Sequence, residues 1–153
     1  MGISLVRIRE HLARQLDLAG RELGASRGVL RVCAADGQTI LERTWPEPDK
    51  DFELRATGLI RRSVEDRRPL VMARTGGEAP GESLLCVPLF VRLQPVGGVC
   101  LARDEDAAPF SSEDLEAGHF ACCPMLAVVR EYLAERLRPA SPPPAAPVAP
   151  IVG

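Results

Sequence analysis

The sequence contains no asparagine, a single lysine (Lys50), one tryptophan and one tyrosine, and only two histidines, His11 and His119, far apart in the chain. No Cys-x-x-Cys or His-x-x-x-His pair occurs, so a zinc site at the usual ligand spacings finds no support. No nucleophile–base pair of the Ser–His or Cys–His kind can be argued, because His11 and His119 each fall on a terminal helix pattern. No apolar run approaches the roughly 20 residues that span a bilayer. The first 23 residues mix acids and bases into their apolar pattern, unlike a secretory leader. A net charge of −2 supplies no field that would draw nucleic acid or an anionic membrane, and neither is expected as a partner. Five cysteines form an odd set without the paired spacings of secreted scaffolds, so a reducing, cytoplasmic setting is expected.

What is present reads as one domain. Hydrophobic residues make up 46% of 153 positions, enough for a single core and too many for a disordered chain. Leu5, Ile8, Leu12, Leu16, Ala19 and Leu23 recur at helical spacing, and Gly24 suits a helix C-cap. Residues 28–34 and 38–44 read as strands around the tight turn at Asp36-Gly37. Pro46 and Pro48 break the sheet, Asp49 and Asp51 favour a helix start near Phe52, and Ala56, Leu59, Ile60 and Val64 give that helix its buried edge. Pro69 ends it. A short strand follows at 70–73, then a Gly/Pro loop at 75–81 and a second hairpin of strands 83–90 and 96–103. A final helix begins at Ser111 or Ser112, where Asp114 completes a capping-box-like pattern, and Pro124 should kink it.

The last helix carries two apolar flanks. One runs through Leu115, His119, Cys122, Leu126, Val129 and Leu133, and the other through Gly118, Ala121, Met125, Val128 and Tyr132. Two flanks need two partners. One is the sheet, and the other is expected to be a neighbouring helix or a second subunit, which points to a homodimer. Leu5, Ile8, Leu12, Leu16, Met125, Val128 and Tyr132 are the expected interface. The predicted architecture is α+β: an antiparallel sheet of about five strands, the terminal helices on one face and a short helix on the other. The domain is expected over residues 1–138, with the first helix in 1–24, the sheet core in 28–103 and the last helix in 111–137. Residues 139–153, rich in Pro and Ala, read as a flexible tail or linker.

Three successive segments sharpen this reading: S-L-L-C-V-P-L-F at 83–90, P-V-G-G-V-C-L-A at 95–102, and F-S-S-E-D-L at 110–115. Together with L-R-A-T-G-L-I-R-R-S-V-E-D-R-R-P-L-V-M-A at 54–73, they resemble the GAF domain, the small sensor module of phosphodiesterases, phytochromes and sigma-54-dependent activators. Roadblock and profilin-like domains share the alternation of helices with an antiparallel sheet and stand as the alternative fold. The GAF resemblance implies regulation rather than catalysis, with no cofactor. Cyclic-nucleotide-binding members carry an Asn-Lys-Phe-Asp-Glu set, and a chain without Asn cannot. Bilin-binding members commonly use a Cys-His pair, absent here. Free methionine sulfoxide reductases place catalytic cysteines in the loop that corresponds to 75–81, which has none. The same loop is too short and too rich in Gly and Pro for the lid helices that cover a ligand pocket. The expectation is a non-enzymatic module acting by dimerisation and contact with an unidentified protein partner. The alternatives are a small-molecule sensor and a thiol-based redox sensor or enzyme.

Two clusters are candidate sites. A hairpin turning at 91–95 sets Cys86 opposite Cys100, with Cβ atoms roughly 4.5–5.5 Å apart, slightly wide for a relaxed disulfide. Both are expected to be packed core thiols, with a redox pair as the sharper alternative. Arg61, Arg62, Arg67 and Arg68 cluster at the end of the second helix as a candidate anion or partner patch, interleaved with Glu65 and Asp66.

Overall fold

The computed structural model describes residues 4–73 and 81–136. The elements run α1 (Leu5–Glu22), β1 (Arg27–Cys33), β2 (Thr39–Trp45), α2 (Lys50–Asp66), β3 (Leu70–Ala73), β4 (Ser83–Val91), β5 (Gln94–Arg103) and α3 (Asp114–Arg136). The five strands form one antiparallel sheet in the order β2-β1-β5-β4-β3. Side chains alternate between its two faces. Leu30, Val32, Leu85, Val87, Val99 and Leu101 point to the side covered by α1 and α3. Val29, Leu84, Cys86, Cys100 and Ala102 point to the side covered by α2, where they meet Phe52, Ala56 and Ile60.

Local chemistry sets the element ends. Ser4 caps α1, accepting from the Arg7 N–H, and Gly24 at φ 64 closes it as a left-handed C-terminal residue, with the Ala25 N–H returning to the Gly20 carbonyl. Asp49 Oδ1 accepts from the Phe52 N–H while Glu53 Oε2 accepts from the Asp49 N–H, a reciprocal cap that starts α2 two residues earlier than its apolar pattern. At 17 residues α2 is not short, and it ends at Arg67 in the left-handed region. The Ser111 N–H donates to Asp114 Oδ2 as the sequence predicts, but the regular helix begins at Asp114 itself. Pro124 lies inside α3 and does not end it.

The register between β4 and β5 follows the expected pairing from Ser83↔Arg103 to Leu89↔Gly97, with Cys86 opposite Cys100. The turn differs from expectation. It is a two-residue turn at Arg92 and Leu93, both at positive φ, and Phe90 pairs with Pro95 rather than Val96. The residue gained is absorbed as a bulge before Gly97, whose φ of 132 and closeness to the Arg31 carbonyl leave no room for a Cβ. Gly118 plays the equivalent part on α3. A side chain there would meet Leu85, so its absence lets the helix settle on β4.

Arg103 joins three elements. Its Nε and Nη2 donate to the Leu23 carbonyl at the end of α1 at 2.9 and 2.7 Å, its Nη1 lies 3.6 Å from Asp114 at the start of α3, and its guanidinium stacks 4.1 Å over Phe110. Among the described residues no helix is long and apolar enough to cross a membrane. The expected loop at 75–81 lies outside the described residues but for Gly81, and the tail at 139–153 lies wholly outside them.

Candidate functional site

The expected dimer residues lie inside the protomer. Ile8, Leu12 and Leu16 of α1 and Met125, Val128 and Tyr132 of α3 are all buried, and Leu5 packs partly against the same cluster. The two apolar flanks of α3 are satisfied by the sheet and by α1, its neighbour in the same chain, so these residues are core and not interface. His119, expected on the buried side, is exposed. Its own helix turns it outward between the Gly118 and Cys122 positions that face the core.

The outer side of α3 is different. Ala117, Phe120, Pro124 and Ala127 all sit in solvent, with Phe120 63% exposed. At spacings of three and four they form one apolar ridge. Exposed Glu116 precedes this ridge and exposed Arg130 and Glu131 follow it, so the bare apolar surface is confined to residues 117–127.

Cys86 and Cys100 stand opposite one another under α2, buried and free. Burial, with Cys100 beside it, pushes the Cys86 thiol well above its ordinary value. On α3, burial pushes Cys122 up to about 12, whereas Cys123 is exposed. Such buried thiols are poor nucleophiles at neutral pH.

The four arginines do not form one patch. Arg67 stacks 4.8 Å over the Phe90 ring and donates to the Leu93 carbonyl, which ties the end of α2 to the β4–β5 turn. Arg62 stands 4.0 Å from Asp66 and lines a groove on the β3 side of α2. Arg61 lines a different cleft, on the β1 side, and Arg68 is exposed beyond the helix end. A helix turns 100° per residue, which sends consecutive arginines to different sides.

Two polar clusters on the α2 face join residues distant in the chain. Glu82, at the entry to β4, has a side chain 8% exposed and lies 2.9 Å from Arg55 Nη2 on α2. Its Oε1 is 2.5 Å from Arg27 Nη2 of β1 but outside hydrogen-bonding geometry. Arg27 also reaches the helix cap Asp49 at 2.9 Å, and both arginines lie over the Phe52 ring. Nearby, Arg31 of β1 donates to the hydroxyls of Thr39 and Thr57 and stands 3.6 Å from Glu42. Burial, and the hydrogen bond it shares with Glu53, raise the Glu42 carboxyl above its ordinary value. Asp49 is held lower, first by the Phe52 N–H. Among the described residues no group of His, Cys, Asp and Glu side chains is arranged to hold a metal ion.

The sequence model of the GAF domain family matches residues 8–119. No curated protein matches the sequence. Among solved structures, the GAF domain/HD domain protein from Geobacter sulfurreducens is 16% identical with a TM-score of 0.60, over 85% of this chain and 94% of that one. The GAF domain of a two-component sensor histidine kinase from Bacillus halodurans is 14% identical with a TM-score of 0.60, over 88% and 99%. A type II free methionine-R-sulfoxide reductase from Thermoplasma acidophilum is 18% identical with a TM-score of 0.59, over 82% and 96%.

Proposed function

The chain belongs to the GAF domain family of regulatory and sensor modules, and from that premise we propose that it is a non-enzymatic regulator that works as a homodimer and through contact with a further protein. The observation that carries this reading is the bare ridge of α3. Phe120 and its alanine and proline neighbours leave the middle of α3 apolar on the outside as well as the inside. An exposed apolar patch on a small domain is an interface signal. A second copy meets it with the same ridge, in the self-complementary manner of a twofold dimer.

The non-enzymatic part of the proposal rests on the surroundings of the histidines and thiols among the described residues. His11 is paired with Gln15 at 3.4 Å, His119 faces solvent, and the buried Cys86 and Cys122 thiols are raised rather than activated. The similarity to a reductase carries no more than the fold, since none of the five cysteines lies between residues 74 and 85. The described cysteines are all free, which fits a reducing cytoplasm.

Light scattering at micromolar concentration tests the dimer. The wild-type chain should run as a dimer and Phe120→Glu as a folded monomer. Leu93→Glu, at the exposed turn between β4 and β5, should leave the dimer intact. A wild-type chain that is monomeric at every concentration overturns the proposal.

A further inference from the structure

Among the described residues, the non-glycine positions at positive φ are Arg67 at 55, Arg92 at 51 and Leu93 at 68. All of them meet at one place. Arg67 closes α2, Arg92 and Leu93 turn the chain between β4 and β5, and Arg67 joins the two by donating to the Leu93 carbonyl and stacking over Phe90. We propose that this turn and helix end are a docking surface for an acidic segment of a partner protein, one that carries leucine-like side chains among its carboxylates. The inference rests on the reading of the chain as a regulator that contacts a further protein, and its surface is separate from the α3 ridge.

Folding alone does not favour these side chains here. A two-residue hairpin turn with both φ positive suits Asn-Gly, whereas Arg and Leu carry backbone strain in it. Leu93 gains no burial in return: it is 80% exposed, the most exposed large apolar side chain among the described residues. An exposed leucine by itself is ordinary. One held where glycine would sit without strain is displayed for contact.

Charge sets the chemistry of the partner. Arg67, Arg68 and Arg92 are exposed, and none has a carboxylate partner among the described residues. The acids on the same helix end are Glu65 and Asp66, and Asp66 lies 4.0 Å from Arg62. The surface is therefore basic in a chain whose net charge is −2. Guanidinium forks pair well with carboxylates, and Arg67 is already oriented by Phe90 and the turn, so it loses less freedom when an acid arrives. A second copy is not the occupant. Its acidic run Asp104-Glu105-Asp106 follows β5 at the end opposite the turn, and joining those two ends builds rings or filaments rather than a twofold dimer. An anionic membrane calls for a cluster of about 4–8 basic residues, and Glu65 and Asp66 oppose one here.

Fluorescence anisotropy with labelled peptides of about twelve residues tests the surface, using repeats of Glu-Asp-Leu, of Glu-Asp-Ser and of Lys-Arg-Leu. The Glu-Asp-Leu peptide should bind with a Kd of roughly 10–500 μM that weakens as salt is raised. The Glu-Asp-Ser peptide should bind at least about threefold more weakly, and the Lys-Arg-Leu peptide should not bind. The double variant Arg92→Asn, Leu93→Gly installs the residues that the turn favours. It should unfold no earlier than wild type, yet lose the Glu-Asp-Leu peptide by at least about fivefold. Equal binding by wild type and the double variant overturns the proposal, as does binding indifferent to the leucines, or no saturable binding below about 1 mM. A double variant that unfolds earlier shows that Arg92 and Leu93 serve the fold, and also overturns it. Tighter binding to vesicles of phosphatidylserine and phosphatidylcholine, or to duplex DNA, overturns it in favour of those surfaces. Phe120→Glu should bind the peptide as wild type does, and light scattering of the double variant should match wild type, which keeps this result separate from the fate of the dimer.

Discussion

Glu82 stands between Arg27 and Arg55 with little of its side chain in water, so its loss is felt through the charges left behind. Those arginines keep about a third of their side chains exposed, and solvent takes up part of the missing attraction. Glu82→Gln should therefore cost about 1–3 kcal/mol in urea unfolding, and a loss under about 0.5 kcal/mol would contradict the role given to it. Truncating both Cys86 and Cys100 to Ala should cost a similar ~1–3 kcal/mol through lost packing atoms and leave the oligomeric state unchanged. If mild peroxide instead joined the two within minutes and altered the oligomeric state, the pair would be a redox switch. Glu42 gives a pH prediction with a definite sign. Its folded-state carboxyl is raised, so the folded protein holds a proton that the unfolded chain has released. That contribution is present below the ordinary glutamate range and is lost as pH rises through the raised value. Unfolding midpoints of wild type and Glu42→Gln should diverge with rising pH in that window, with the variant gaining; parallel curves would refute the assignment.

At the scale of elements, Gly97 bears the sharpest constraint. Gly97→Ala places a Cβ against the Arg31 carbonyl at a φ that L-residues avoid, so the β1–β5 pairing must shift. A destabilisation of at least about 2 kcal/mol is expected, with amide-exchange protection lost first along β1 and β5; unchanged protection there would show that the bulge relaxes cheaply. The strands, the three helices and the facing of Cys86 and Cys100 were legible in the sequence, because periodicity and hairpin symmetry are local signals. The bulge was not, because Arg92 and Leu93 turn the chain at positive φ without a glycine to announce it. The Arg27–Glu82–Arg55 cluster was not legible either, since its members begin β1, precede β4 and sit on α2. The docking surface was half legible. Arg67 and Arg68 were singled out, but the residues they stand with are Arg92 and Leu93, far away in sequence, and not Arg61 or Arg62. The dimer residues were misassigned for one reason: a helix pattern shows that a flank needs cover but not whose helix provides it.

For the molecule as a whole, core and surface now make opposite predictions. Leu12→Glu puts a charge in the middle of the α1–α3 layer and should unfold the domain, at a cost of about 4 kcal/mol or more by circular dichroism melts. A folded Leu12→Glu would mean that the layer is looser than its burial indicates. Cyclic AMP and cyclic GMP should show no saturable heat at micromolar concentration in calorimetric titration, since the chain has no asparagine to complete the family's nucleotide set. The strand order β2-β1-β5-β4-β3 has a further consequence for how the chain is made. β1 and β3 belong to the first half of the sequence, yet the β4–β5 hairpin must slide between them, with Arg27 pairing to Ala102. A ribosome that has released α1 to β3 has released two strands with no partners on their inner edges, at the stage when unpaired edges recruit other chains. Closure waits for residue 103 to emerge and then spans most of the chain at once, a slow, loop-limited step. Nascent chains halted before that residue should be aggregation-prone, and chains halted after α3 has also emerged should not.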